Sequence, residues 1–158
     1  MAYKSSDRAT DLPGLFSDLV RCETRLYNGL NDRLRARHAI VTSQFEALRY
    51  LRDHPGSRVG DLAAEFAIGV GAMSKGIDRL EGRGWVLRQP NPANRRSSLL
   101  TLTEDGTRLV DAAEVTFTEE LAELIGAALD EAAISATAQA LSALRSRLER
   151  DQIGTPTG

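Results

Sequence analysis

The chain has almost none of the residues that build disulfides, metal centres or covalent active sites. It contains 1 cysteine in 158 residues, which excludes an intramolecular disulfide and a multi-cysteine zinc site. Its 2 histidines, His38 and His54, stand far apart and each stands alone. A metal needs several converging ligands. No Gly-rich phosphate loop and no nucleophile motif is present, so no cofactor is expected and the chain is not expected to be an enzyme. No run of about 18 apolar residues occurs, so nothing is expected to span a membrane. Residues 1–10 are polar and lack an apolar stretch of signal-peptide type, so a cytoplasmic location is expected. Aromatic residues are scarce at 5%. Trp85 alone would have to serve as a stacking platform for single-stranded nucleic acid. It follows Gly84 at a helix-to-strand turn, where packing beneath a hairpin is the better reading.

What is present is a core and an uneven distribution of charge. Hydrophobic content of 42% can fill one domain, with or without a dimerisation extension, and charged content of 27% is ordinary. The chain as a whole carries −2, yet residues 70–97 carry a net +4, from Lys75, Arg79, Arg83, Arg88, Arg95 and Arg96 against Asp78 and Glu81. Residues 104–151 carry a net −7. A basic island on a mildly acidic chain points to a polyanion, and an acidic segment is repelled by one. The middle of the chain is therefore expected to face DNA and the C-terminal part to face away.

Periodicity organises the chain into helices around one hairpin. Residues 1–10 and 154–158 look frayed. Leu12, Leu15, Leu19, Cys22, Leu26 and Leu30 recur at helical spacing and predict a first helix that ends before or within Arg33–Arg37. Ser43 with Glu46 predicts a capping box for a second helix, with Phe45, Leu48 and Leu51 inward, stopped at His54-Pro55-Gly56. Ser57 is the expected cap of a third, with Val59, Leu62, Ala63 and Phe66 on its apolar side. After a turn at Ile68-Gly69, a fourth is expected over 71–81 with Met73, Ile77 and Leu80 inward. Strands are expected at Trp85–Arg88 and Ser98–Leu102. The segment between them, Gln89–Arg96, is too long for a tight turn and must project. Thr103 and Asp130 are the expected caps of two further helices.

A short helix followed by a basic-tipped hairpin suits duplex DNA, because a helix fits the major groove and a thin basic loop reaches the minor groove. The ordered set resembles the multiple antibiotic resistance regulator (MarR) family. The motifs that carry the likeness are Gln44-Phe45-Glu-Ala-Leu48, Val59–Phe66, Ile77-Asp-Arg-Leu-Glu-Gly-Arg-Gly-Trp-Val86, the loop Arg88–Arg96 and Leu102-Thr-Glu-Asp-Gly106. The likeness runs from about Leu12 to Leu148. It implies a mainly α fold with a small β-hairpin wing. Residues 42–103 would form a winged helix-turn-helix module, and 11–36 and 104–150 would be dimerisation helices. It further implies a homodimeric, sequence-specific regulator, a repressor, that binds a pseudo-palindromic double-stranded DNA site and often releases it on meeting a small aromatic or anionic effector.

Three departures from the family pattern stand out. The wing has Asn94 before Arg95-Arg96 where the family usually has Asp. Val41 stands where Thr is common. Gly71 and Gly76 lie in the reading helix, where Gly76 would either let backbone approach closely or merely soften the helix.

The resemblance assigns Ser74 and Lys75 to the groove. Arg79 and Arg95 are expected on phosphate and Arg96 in the minor groove, with Arg88 either touching phosphate or bracing the wing. Arg37 and His38 fall where the family commonly holds its effector. A peroxide-sensing branch carries a reactive cysteine four residues before a tyrosine. Here that slot is Glu23, and Cys22 is one residue early, rotated by about 100°. Cys22 falls on the apolar stripe, so a buried, inert thiol is expected, with thiol-based redox sensing through Cys22 as the alternative. A ligand-binding or protein-interaction module without DNA binding is the other rival reading.

Overall fold

The computed structural model describes residues 11–157; the expected fraying of residues 1–10 and of Gly158 lies outside them. The order is α1 (Leu12–His38), α2 (Thr42–Asp53), α3 (Val59–Glu65), α4 (Val70–Gly82), β1 (Val86–Pro90), β2 (Ser98–Leu102), α5 (Glu104–Gly126) and α6 (Glu131–Arg150). The two strands pair antiparallel, with Val86 opposite Leu102 and Pro90 opposite Ser98. A bridge from Ser57 to Leu100 ties the start of the α3 region to the hairpin. The Leu100 N–H donates to Ser57 O at 2.7 Å and the Gly56 N–H to Leu100 O at 2.9 Å.

The expected stripes supply the core. Phe45, Leu48 and Leu51 from α2, Leu62 from α3, Ile77 and Leu80 from α4, Val86 and Leu100 from the hairpin and Val110 from α5 are all essentially inaccessible. Each such side chain contributes about 1.5–3 kcal/mol on burial. Trp85 is half-buried against this cluster, as expected of a residue beneath the hairpin, with the Arg83 guanidinium 4.3 Å from its ring centroid. Phe45 and Phe117 meet at 4.5 Å between ring centroids and join α2 to α5.

Caps formed as expected where a short polar side chain could reach the first turn. Thr103 Oγ1 accepts from the Gly106 N–H at 2.9 Å, and Asp130 Oδ1 from the Ala133 N–H at 2.8 Å. Two other helix starts differ from expectation. Extended Val41, not Ser43, precedes α2. Its N–H donates to Gln44 Oε1 at 3.0 Å, while the Thr42 N–H donates to Asn31 Oδ1 of α1 at 2.8 Å. A local bond to Gln44 and a tertiary bond to Asn31 thus stand where the Ser43 cap was expected. Arg58, not Ser57, precedes α3, because the Asp61 carboxylate accepts the Arg58 N–H at 2.8 Å. Ser57 instead donates its hydroxyl to His54 O.

Helix α1 also runs further than expected, through the basic stretch to His38, where Ala39 closes it in the left-handed region (φ 55°). Arginine is a good helix former, and basic residues in a last turn suit the negative end of the helix dipole. Glu120 of α5 also holds Arg33 at 3.3 Å. Strand β1 starts one residue later than expected and extends to Pro90.

Two helices are left largely uncovered. In the first half of α1, Leu12, Leu15 and Phe16 are each more than 60% exposed. No residue of α6 is buried, and Ile134, Leu141, Leu144 and Leu148 form an exposed apolar stripe. The apolar face expected along α1 is therefore sealed within the chain only at Leu30 and Leu34.

Two glycines make opposite predictions. A Cβ on Gly106 would lie 2.2 Å from Trp85 O, so Gly106 is where the start of α5 passes against the base of the wing. A Cβ on Gly76 meets nothing within 4 Å, so the close backbone approach considered for Gly76 is not what it serves. Gly106→Ala should destabilise the fold by about 1–3 kcal/mol. Gly76→Ala should stabilise it by up to about 1 kcal/mol through helix propensity. Urea unfolding midpoints measure both, and equal signs for the two would contradict this geometry.

Candidate nucleic-acid interface and adjoining cavity

Helix α4 and the hairpin build one basic surface. With Met73, Ile77 and Leu80 turned inward, Lys75, Asp78 and Arg79 are left exposed and Ser74 half-exposed. The helix follows a short turn in which Ala67 adopts φ 50° and Gly69 is the residue before α4. At its other end Gly84, at φ 79°, reverses the chain into the hairpin.

The loop between the strands is ordered by its own asparagines. Asn94 Oδ1 accepts the Arg96 N–H at 2.9 Å, so Asn94 does bond Arg96, through the backbone rather than the guanidinium. Asn91 Oδ1 accepts the Ala93 N–H at 3.0 Å, and Asn91 Nδ2 donates to Ser97 Oγ at 2.9 Å. These Asx-type contacts hold the loop tip without a charged partner, leaving Arg95 and Arg96 exposed.

The pairing of cations separates the site from the adjoining helices α2 and α3. Arg49 holds Glu46, Arg52 holds Asp53, Asp111 and Glu114, and Arg58 holds Asp61. Lys75, Arg79, Arg95 and Arg96 have no carboxylate partner among the described residues. Arg88 differs from its expected company. It lies 2.7 Å from Asp78 and 3.5 Å from Glu81, with less than a third of its side chain exposed. The structure thus supports its bracing role: it clamps β1 to α4 and neutralises the two acids on the reading helix.

The expected effector residues part company. Arg37 is exposed at the end of α1. His38 turns instead into the α1–α5 contact, with Nε2 2.7 Å from the buried Thr116 hydroxyl. Burial, and then the neighbouring Arg37 charge, hold the His38 pKa below its ordinary value.

The chain's large apolar cavity lies elsewhere, with a volume of about 680 Å³. Neither Arg37 nor His38 lines it. Its walls come from α1 (Leu19, Cys22, Tyr27, Leu30), α2 (Thr42, Glu46), the α3–α4 turn (Ile68), α4 (Met73), α5 (Phe117, Leu121) and α6 (Leu141). Sequence reasoning missed it because six separate segments compose it, and none carries a local motif. Cys22 corrects a further expectation: it is exposed, not buried, and stands on this cavity. The stripe it belongs to has no covering element at that height among the described residues.

Comparison with known proteins bears on this architecture. The family model described as "MarR family" matches residues 40–98. The multiple antibiotic resistance protein MarR of Salmonella typhimurium is 29% identical over 103 residues, covering 61% of this chain and 72% of that protein. The transcriptional repressor NicR of Pseudomonas putida is 34% identical over 73 residues, 46% of each chain. Among solved structures, a mutant MarR from E. coli complexed with operator DNA superposes with a TM-score of 0.77 at 23% identity, over 88% of this chain and 99% of that one. A MarR family regulator from Streptomyces coelicolor in complex with DNA gives 0.77 at 19% identity over 85% of each chain. At these identities the structural likeness establishes the fold.

The buried His38–Thr116 contact predicts a pH effect. Folded His38 binds a proton less readily than the unfolded chain does, so its contribution to stability is complete above the ordinary value of 6.5 and declines as pH falls through it. His38→Gln should flatten the loss of stability between about pH 7.5 and about pH 5.5. Denaturant titrations across that range check it; an unchanged slope contradicts it.

Proposed function

We propose, from the match of residues 40–98 to the MarR family model and from the geometry above, the function of a homodimeric transcription regulator, a repressor, that binds a pseudo-palindromic double-stranded DNA site and responds to a ligand. The observation that carries the DNA reading is the cluster of exposed cations without carboxylate partners, Lys75, Arg79, Arg95 and Arg96, gathered on α4 and the wing. Duplex phosphates supply the counter-charges, and binding must then weaken steeply with salt. Ser74 and Lys75 take the base edges of the major groove, Arg79 and Arg95 take phosphate, and Arg96 enters the minor groove.

Residues 11–36 and 104–150 pair two copies. The uncovered leucines of α1 and α6 are the support for this: an apolar face of that extent calls for a partner, and a two-fold dimer covers both faces at once. The two reading helices then meet half-sites about 10 bp apart. Ligand response follows from the cavity's position. Its walls include Met73 of the reading helix as well as Phe117 of α5 and Leu141 of α6, so an occupant bears on the reading module and the pairing helices together. A ligand shifts the spacing of the modules only to the extent that it prefers one arrangement.

A gel shift with the DNA upstream of the protein's own coding sequence tests the reading. Sequence-specific retention that weakens with salt is expected, and equal retention of unrelated duplexes contradicts it. Arg96→Ala should lower affinity and reduce the salt slope by about 1, whereas Lys75→Ala should cost about 1–3 kcal/mol of discrimination between sites. Arg88→Ala should weaken binding by about 10-fold, because Asp78 and Glu81 are then left bare before phosphate. Adding Asp78→Asn should restore most of that loss; no restoration would assign Arg88 to phosphate instead.

A further inference from the structure

We propose that the cavity lined by α1, α2 and α5 receives an uncharged or cationic lipophilic molecule and excludes anions. This rests on the ligand-responsive reading above and specifies the chemistry of that ligand.

The volume of about 680 Å³ falls in the range of small-molecule sites, and the walls are chiefly leucine and phenylalanine. Thr42 borders the cavity at 2% exposure, with its backbone N–H satisfied by Asn31 and its unbonded hydroxyl sealed behind the wall, out of an occupant's reach.

The charged residues on the lining set the sign. Glu23 and Glu46 border the cavity, and no lysine, arginine or histidine does. Glu46 is answered by Arg49 at 3.0 Å, whose guanidinium lies over the Phe45 and Phe117 rings. Glu23 has no cationic partner among the described residues; the contact it makes is with the Thr24 hydroxyl. The Tyr27 hydroxyl shares this wall. Its pKa is raised, first by burial and further by Glu46 and Glu23, against an opposing hydrogen bond with Ser43. A carboxylate or sulfonate brought here loses its water and meets no cation. The expected anionic effector, placed on Arg37 and His38, is thereby replaced: those side chains lie outside the cavity.

Two probes with the same aromatic body test the sign. N-phenyl-1-naphthylamine is neutral, and 8-anilino-1-naphthalenesulfonate carries one negative charge. Fluorescence titration of the intact protein without DNA should show the neutral probe binding at least about 10-fold tighter. Glu23→Gln with Glu46→Gln, confirmed as folded by circular dichroism, should narrow that ratio to below about 3-fold, mainly by improving the anion. The neutral probe should also slow iodoacetamide modification of Cys22, the chain's sole cysteine. Equal or tighter binding of the sulfonate overturns the proposal, as does a ratio indifferent to the double variant. Probe binding that leaves Cys22 unprotected places the probe elsewhere and also overturns it. If neither probe binds and Cys22 is unreactive in the intact protein, a second copy fills the cavity and the proposal fails. Because DNA is absent from these titrations, failure here leaves the gel-shift result, and the DNA-binding reading, standing on its own.

Discussion

The contact between Phe45 and Phe117 is the constraint on which the architecture turns. It joins the first helix of the reading module to the long helix α5, with ring centroids 4.5 Å apart. Arg49 lies over both rings at about 5.4–5.5 Å, and its charge is met by Glu46. On the outer side of the same junction Arg52 reaches from α2 to Asp111 and Glu114 of α5. Its hydrogen bonds hold the Glu114 pKa below its ordinary value. These contacts make α2 and α5 a single rigid corner. Lose the aromatic pair and the basic surface keeps its composition but no longer has a fixed orientation relative to α5.

From that corner the chain builds outward to the wing. Thr103 is the second fixed point. Its hydroxyl donates to Gly84 O and accepts from the Gly106 N–H, while its own N–H donates to Trp85 O. One residue thus caps α5 and closes the base of the hairpin. Arg88 then fastens β1 to α4 through Asp78 and Glu81. The functional consequence is electrostatic as well as geometric. Acids that would face a phosphate backbone are answered internally, and Lys75, Arg79, Arg95 and Arg96 are left without carboxylate partners on α4 and the wing tip.

Those parts of the fold that depend on local chemistry were legible in the sequence. Strand Ser98–Leu102, the caps at Thr103 and Asp130, and the inward set Met73, Ile77 and Leu80 all follow from side chains acting on their near neighbours. What escaped the sequence was settled by distant partners. The start of α2 is fixed by Asn31 rather than by Ser43, and Glu120 steadies Arg33 where α1 was expected to end. Periodicity placed Cys22 on an apolar stripe but could not say whether anything covers that stripe; among the described residues Cys22 is left exposed. For the candidate site, spacing located the basic residues, yet only the fold separated Arg88, which is paired, from Arg79, Arg95 and Arg96, which are not. The cavity had no sequence signature, because leucines and two carboxylates are ordinary residues until six segments meet.

The central claim is geometric: paired copies present two cationic reading units matched to successive turns of a double helix. Hydroxyl-radical footprinting on the DNA upstream of the protein's coding sequence measures that geometry most directly. Two protected windows on one face of the duplex, centred about 10 bp apart and flanked by minor-groove protection from the wings, are the expected result. Protection of a single window, or of the backbone without periodicity, would contradict the account.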